Sequence, residues 1–77
     1  MKKTEFLKLL DQLLENKPGT LKGAELLLDI DGWDSMINLE LISLADERFG
    51  LVLSVDLLGK CQSIGDIIAM MGDHVVD

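Results

Sequence analysis

Residues 34–49 have the sequence DSMINLELISLADERF and contain the longest helical pattern in the chain. Apolar residues recur within it at intervals of three and four, and they are Leu39, Ile42, Ala45 and Phe49, with Leu41 beside them. This spacing predicts a helix over 35–49 whose apolar face packs against other helices, while its charged residues point elsewhere. Gly50 follows the pattern and is a suitable C-terminal stop.

The chain before this segment predicts one helix followed by a long connection. Residues 3–15 place apolar side chains at helical spacing, and Thr4 is a candidate N-cap. A Pro-Gly pair at 18–19 ends this first helix, because the two residues together break a helix and favour a turn. Residues 17–34 then form the connection, with a short helical turn expected over 25–28.

The chain after residue 50 predicts two more helices, one short and one of medium length. Ser54 is expected to cap a brief helix over 55–59. Ser63 opens the last helix, with Asp66 at the spacing of a capping box. Apolar residues then follow the helical rule up to Gly72, where this helix is expected to end.

These patterns predict an all-α fold, a four-helix bundle with three longer helices, one short helix and a long loop between helices 1 and 2. The chain has 77 residues, so we expect residues 1–77 to form a single domain with one core. Hydrophobic residues make up 48% of the chain but aromatic ones only 4%. That balance favours helices, because strands prefer β-branched and aromatic side chains.

Composition and charge exclude several classes of function. A net charge of −7 repels phosphate backbones, so nucleic-acid binding is not expected. The lone cysteine Cys61 and the lone histidine His74 form no metal-ligand motif and no nucleophile–base pair, so we expect neither a metal site nor an enzyme. Without a signal peptide or a bilayer-length apolar run, we expect a cytoplasmic monomer that makes no membrane contact.

The most informative site is Gly32-Trp33-Asp34-Ser35-Met36, where the long connection meets the helix. Asp34 and Ser35 both favour helix starts, so one interpretation is that Ser35 merely begins the helix. The other is that its hydroxyl is accessible at a loop tip. Unpaired N–H groups and the positive end of the helix dipole would stabilise an anionic group there. Trp33 is expected to anchor the loop to the bundle.

The run from residue 34 to residue 49 resembles the D-S-L-x-x-x-E-L segment of the acyl carrier protein family. Asp34 and Ser35 match the Asp-Ser pair of that motif, and Met36 replaces its usual leucine. The further matches are Glu40 and Leu41 at the Glu-Leu pair, and Asp46, Glu47 and Phe49 at the end of the helix. In that family the serine receives 4′-phosphopantetheine from coenzyme A. The resemblance therefore implies that Ser35 is the attachment site and that Asp34 helps a phosphopantetheinyl transferase to recognise it.

The resemblance extends over nearly the full chain and implies an acyl-carrier-like bundle that is not itself an enzyme. Such a protein holds acyl or aminoacyl intermediates as thioesters and delivers them to acyl-loading, condensing or acyl-transfer enzymes. The residues implied to contact these partners are Met36, Ile37, Glu40, Asp46 and Glu47. In the family, acyl chains can lie between the helices, and the residues here expected to line such a space are Leu41, Phe49, Leu57 and Ile64.

Two departures from the family pattern bear on the pathway. Ile37 occupies a position that is often acidic in carriers of primary fatty acid synthesis, and Asn38 follows it. We expect Ile37 on the surface, because the Leu39 face is predicted to supply the core. Gly32-Trp33 resembles carriers of polyketide and nonribosomal peptide systems. The favoured hypothesis is a carrier for a specialised lipid, polyketide or peptide pathway; the alternatives are a carrier of primary fatty acid synthesis, a D-alanyl carrier and an unmodified helical adaptor.

Overall fold

The computed structural model describes residues 1–76 and contains four α-helices. They are α1 (Lys3–Leu13), α2 (Ser35–Phe49), α3 (Val55–Gly59) and α4 (Ile64–Met71). Two short 3₁₀ turns lie over Leu27–Asp29 and Gly72–His74. Within the described residues there are no strands, and extended pairing is limited to two isolated backbone bridges. The prediction of a small all-α bundle with three longer helices and one short helix is confirmed.

One hydrophobic core joins the four helices. Its largest completely buried apolar side chains come from α1, α2 and α4, and they are Phe6, Leu10, Leu41, Ile64, Ile67 and Met71. The short helix α3 buries Leu58 in the same core. A helix of five residues is too short to be stable alone, so α3 depends on this contact. No helix among residues 1–76 has both the length and the apolar character needed to cross a bilayer.

The buried face of α2 agrees with the predicted one at Leu41, Ile42, Ala45 and Phe49 and differs from it at two positions. Ile37, Leu41 and Ala45 are buried, whereas Leu39 is 54% exposed. The prediction that Ile37 lies on the surface is therefore wrong. Apolar residues surround much of this helix, so two overlapping faces that share Ala45 and are rotated by roughly a quarter of a turn both satisfy helical spacing. Leu41 and Ala45 lie in the common core, and Ile37 is buried about one turn before Leu41 on the same side of α2.

The helix ends follow the sequence signals except at the start of α1. Gly50 closes α2 in the left-handed region at φ +63°, where glycine has no steric penalty. Thr4 was a candidate N-cap, but it lies inside α1, whose N-cap is Lys2 without a side-chain hydrogen bond. The reason is tertiary, because the amide of Lys3 instead donates to the carbonyl of Val76 at 2.6 Å. Backbone pairing between the two ends of the chain replaces the side-chain cap.

A buried carboxylate holds the first part of the long connection against α1. Asp11 is only 1% exposed, and its two oxygens accept hydrogen bonds from the amides of Gly19 at 3.1 Å and Leu21 at 3.2 Å. Buried charges are costly unless they are hydrogen-bonded, and these amides meet that requirement. The turn after α1 is thereby fixed, and Leu21 is placed in the core.

A second carboxylate and a backbone bridge fix the middle of the connection. Glu25 accepts hydrogen bonds from the amides of Lys22 at 2.7 Å and Gly23 at 2.8 Å. Burial raises the pKa of the Glu25 carboxyl, but these amide hydrogen bonds outweigh it and hold the pKa below its usual value. The amide of Leu27 then donates to the carbonyl of Gln62 at 2.9 Å. The helical turn expected over 25–28 is present two residues later, because the earlier residues pair with the start of α4.

We expect Asp11→Ala to lower the free energy of unfolding by about 2 kcal/mol, because it leaves two amides of the connection without their acceptor. Urea denaturation measures the change. Gln12→Ala is the matched control, since Gln12 is exposed on the same helix, and its effect should stay within about 0.5 kcal/mol. Equal losses in the two variants would show that the buried carboxylate does not hold the connection.

Candidate functional site

Asp34 and Ser35 have different roles at the start of α2, although both residue types favour the N-cap position. Asp34 is the N-cap, and its Oδ1 accepts a hydrogen bond from the amide of Ile37 at 3.1 Å. Ser35 is the first helical residue and is exposed. Its hydroxyl makes no hydrogen bond to any residue between 1 and 76. The serine therefore begins the helix without capping it, and its side chain is free for another use.

The other two serines at helix starts behave differently. The hydroxyl of Ser54 accepts from the amide of Leu57 at 3.1 Å, and that of Ser63 accepts from the amide of Asp66 at 3.1 Å. Both are therefore N-caps of the ordinary kind. Ser35 differs because the aspartate before it already occupies the capping position. Of these three serines, only Ser35 combines exposure with an unused hydroxyl.

The loop that leads into Ser35 is fixed by local contacts. Gly32 has φ +85°, a left-handed conformation that suits glycine and turns the chain toward α2. Trp33 is half-buried against the core, as expected for an anchor, and its indole Nε1 donates to Oδ1 of Asn38 at 3.2 Å. Asn38 lies in the first turns of α2, so this bond fastens the loop to the helix. Ser35 consequently stands on a supported turn.

The first turn of α2 has the features of an anion site. The amides of Ser35 and Met36 donate to no acceptor among residues 1–76. They add to the positive end of the helix dipole. No acidic residue lies in this first turn, so Asp34 is the only carboxylate at the helix start. A phosphodiester on the Ser35 hydroxyl would therefore meet unpaired donors.

Four of the five residues predicted to contact partners are exposed on α2. They are Met36, Glu40, Asp46 and Glu47. Met36 is 60% exposed, and Leu39, which the sequence assigned to the core, is exposed between Met36 and Glu40. Ile37 is the exception, because its side chain is 6% exposed and cannot offer a partner much surface. The exposed side of α2 thus combines apolar and acidic residues, and Leu39 replaces Ile37 among the candidate contacts.

The residues expected to line a space for cargo do not share one environment. Leu41 and Ile64 are completely buried in the core, Phe49 is half-buried, and Leu57 is exposed. The structure instead has an apolar recess of about 450 Å³ between the connection and the start of α4. Its lining residues are Leu26, Leu27, Leu28, Cys61 and Gln62. Sequence periodicity missed this recess, because its two walls are distant in sequence and meet only through the backbone bridge of Leu26 with Ser63.

The remaining reactive residues form no second centre. In the described part of the chain, no group of three or more His, Cys, Asp or Glu side chains could hold a metal ion. His74 stacks on Phe49 with ring centroids 5.2 Å apart, so its imidazole lies against the end of α2. Cys61 is half-buried, and its sulfur donates to the carbonyl of Leu57 at 3.8 Å. In these contacts, neither His74 nor Cys61 is next to a side chain with which it could form a nucleophile–base pair.

Comparison of the chain with family models, with curated proteins and with solved structures found no match in any of the three. The chemical capacity of the site is therefore judged from its own geometry. That geometry provides an exposed primary hydroxyl, unpaired amides beside it and a supported turn beneath it. Together they suit a serine that receives a phosphate-linked group.

We expect Asp34→Ala to lower the free energy of unfolding by about 1 kcal/mol, because it removes the N-cap of α2. Ser35→Ala should change it by less than about 0.5 kcal/mol, because the Ser35 hydroxyl has no partner to lose. Urea denaturation of both variants gives the comparison. A larger loss in Ser35→Ala than in Asp34→Ala would mean that the serine is the true cap.

We expect iodoacetamide to alkylate Cys61 more slowly than a free cysteine at about pH 8, with the rate rising at higher pH. Burial raises the pKa of the Cys61 thiol and the carboxylate of Asp66 raises it further, which reduces the reactive thiolate. Asp66→Asn removes the charge but keeps an oxygen for the amide of Gln62, so it should speed the reaction. Mass spectrometry over time measures both rates, and identical rates would rule out the influence of Asp66.

Proposed function

We propose that the protein is an acyl carrier, with 4′-phosphopantetheine attached to Ser35 and acyl or aminoacyl intermediates held as thioesters on the end of that arm. The observation that supports this most directly is the free, exposed hydroxyl of Ser35 at the first residue of α2, beside an aspartate that performs the capping. The resemblance of residues 34–49 to the carrier motif supplies the identity of the group. The Ser35 hydroxyl has no structural partner among residues 1–76 that attachment of the group would displace.

The attachment is a phosphoryl-type transfer from coenzyme A. The Ser35 oxygen forms a bond to the phosphorus next to pantetheine, and the bond from that phosphorus to the nucleotide breaks. The serine loses its proton, and adenosine 3′,5′-bisphosphate leaves with the electron pair. A phosphopantetheinyl transferase must supply the base and the metal chemistry, because the described residues near Ser35 include no histidine or metal cluster. The residues of this chain present the hydroxyl and receive the phosphodiester beside the amides of Ser35 and Met36.

Delivery of the cargo requires partners that bind briefly and then release the carrier. The exposed side of α2 offers Met36 and Leu39 for apolar contact, and Glu40 and Glu47 for attraction to basic surfaces. Complementary charge raises the rate of association more than the affinity, which suits a carrier that serves several enzymes. We infer that acyl-loading, condensing or acyl-transfer enzymes contact this side of the helix. The carrier itself performs no catalysis.

The pathway we propose is a specialised one for a lipid, polyketide or peptide product. Support comes from Ile37, which stands where an acid is often found and leaves the first turn of α2 without an acidic residue, and from Gly32-Trp33 in the preceding loop. A carrier of primary fatty acid synthesis and a D-alanyl carrier are the alternatives within the same class. An unmodified helical adaptor is the alternative from another class, and the modification experiment separates it from all three.

We expect a broad-specificity phosphopantetheinyl transferase, with coenzyme A and Mg²⁺, to add one phosphopantetheine to the protein. Intact-protein mass spectrometry detects the addition. Ser35→Ala should show none, because the accepting hydroxyl is gone. Ser54→Ala is the matched control, since Ser54 is also an exposed serine at a helix start, and it should be modified like the wild type.

Two results would contradict the carrier proposal. One is an unmodified wild-type protein with every transferase tested under conditions in which a known carrier is fully converted. The other is modification that persists in Ser35→Ala. The first outcome would favour the adaptor, whereas the second would place the attachment site at a residue other than Ser35.

A further inference from the structure

The apolar recess beside the 3₁₀ turn Leu27–Asp29 has an unusually exposed rim. Leu28 is 99% exposed, and Leu26 on the same segment is about half exposed. Both side chains line the recess together with Cys61 and Gln62 on the opposite wall. Single exposed apolar residues are common, but several that surround a concave apolar space are typical of a surface that another molecule covers. None of the residues that line the recess belongs to α2, so the recess is distinct from the exposed side of that helix.

The backbone around the recess is held in place on both walls. The amide of Leu27 donates to the carbonyl of Gln62 at 2.9 Å, and the amide of Ile64 donates to the carbonyl of Glu25 at 3.0 Å. The amide of Gln62 is also engaged, because it donates to the Asp66 carboxylate at 2.9 Å. The exposed leucines are therefore displayed on a fixed scaffold. A preformed surface loses less conformational entropy on binding than a flexible loop does.

The charge around the recess indicates what would cover it. The two segments that form its walls, 24–31 and 60–66, contain four acidic residues and one basic residue, the exposed Lys60. These acidic residues are Glu25, Asp29, Asp31 and Asp66. Asp29 and Asp31 are exposed directly after Leu28. A binding partner that places an apolar side chain in the recess would gain from basic residues around that side chain.

We propose that this recess is a docking socket for an apolar side chain on a basic segment of another protein. A second copy of this chain is a poor occupant, because each copy has a net charge of −7 and identical acidic rims would repel one another. The proposal concerns the unmodified chain and does not require Ser35 to carry a group. Leu28 supplies the most exposed apolar side chain of the recess, and the exposed Asp29 follows it in the chain.

The test uses a dye-labelled helical peptide composed of leucine and lysine, titrated with the unmodified protein at physiological salt and followed by fluorescence anisotropy. Leu28→Ser should weaken binding about tenfold, because the main apolar contact is lost. Val52→Ser is the matched control, since Val52 is an 82% exposed apolar residue in the α2–α3 connector, and it should bind like the wild type. Thermal unfolding should be the same for both variants, because neither side chain is in the core.

A peptide with glutamate in place of lysine tests the charge argument, and it should not bind. Three outcomes would overturn the proposal. Equal binding by Leu28→Ser and Val52→Ser would place the contact elsewhere, and binding of the glutamate peptide would remove the role of charge. Self-association of the wild type by analytical ultracentrifugation, lost in Leu28→Ser, would make a second copy the occupant. The phosphopantetheine experiment is independent of all three, so failure of one proposal leaves the other standing.

Discussion

Carboxylates that accept backbone hydrogen bonds position the long connection between α1 and α2, and the geometry around Ser35 depends on that connection. A loop of this length contains many polar amides, and each one buried without an acceptor would cost free energy. Asp11 serves the amides of the first turn, and Glu25 serves those of the middle. Asp34 accepts a hydrogen bond from the amide of Ile37 in the first turn of α2. Hydrogen bonds to these three carboxylates thus fix the path of the backbone at three points between α1 and α2.

This use of carboxylates changes how the acidic composition is understood. Net charge alone suggests a uniformly acidic surface for attracting basic partners. Asp11, Glu25, Asp34 and Asp66 instead bond to the backbone, and Asp11 is buried. The acidic side chains that are free to meet a partner are therefore concentrated in particular places, including the exposed side of α2. Charge contributes to the fold through some residues and to recognition through others.

The division of labour between Asp34 and Ser35 is the central feature of the site. Capping propensity assigns both residues to the same task, and either could accept the first-turn hydrogen bond. Once the aspartate takes it, the hydroxyl one residue later has no structural partner among residues 1–76. Ser54 and Ser63 show the alternative, since each precedes a helix and its hydroxyl accepts the capping hydrogen bond from a first-turn amide. The proposed attachment of an arm rests on this exposed, unbonded serine and the supported turn beneath it.

Local signals in the sequence determined much of this protein. Helical spacing predicted three longer helices and one short one, and glycine and serine signals located the end of α2 and the starts of α3 and α4. These features depend on residues within one turn of each other, so they can be recognised without tertiary information. The position of Ser35 at the junction of loop and helix was predictable for the same reason.

Only the tertiary structure decided which face of α2 is buried and where the apolar recess lies. Ile37 and Leu39 both satisfy a helical repeat, and the choice between them rests on where the neighbouring helices pack. The recess requires residues near 27 and 62 to be adjacent, which no local pattern encodes. Short-range geometry is a property of the chain alone, whereas the burial of one face over another depends on contacts that form only when distant segments meet.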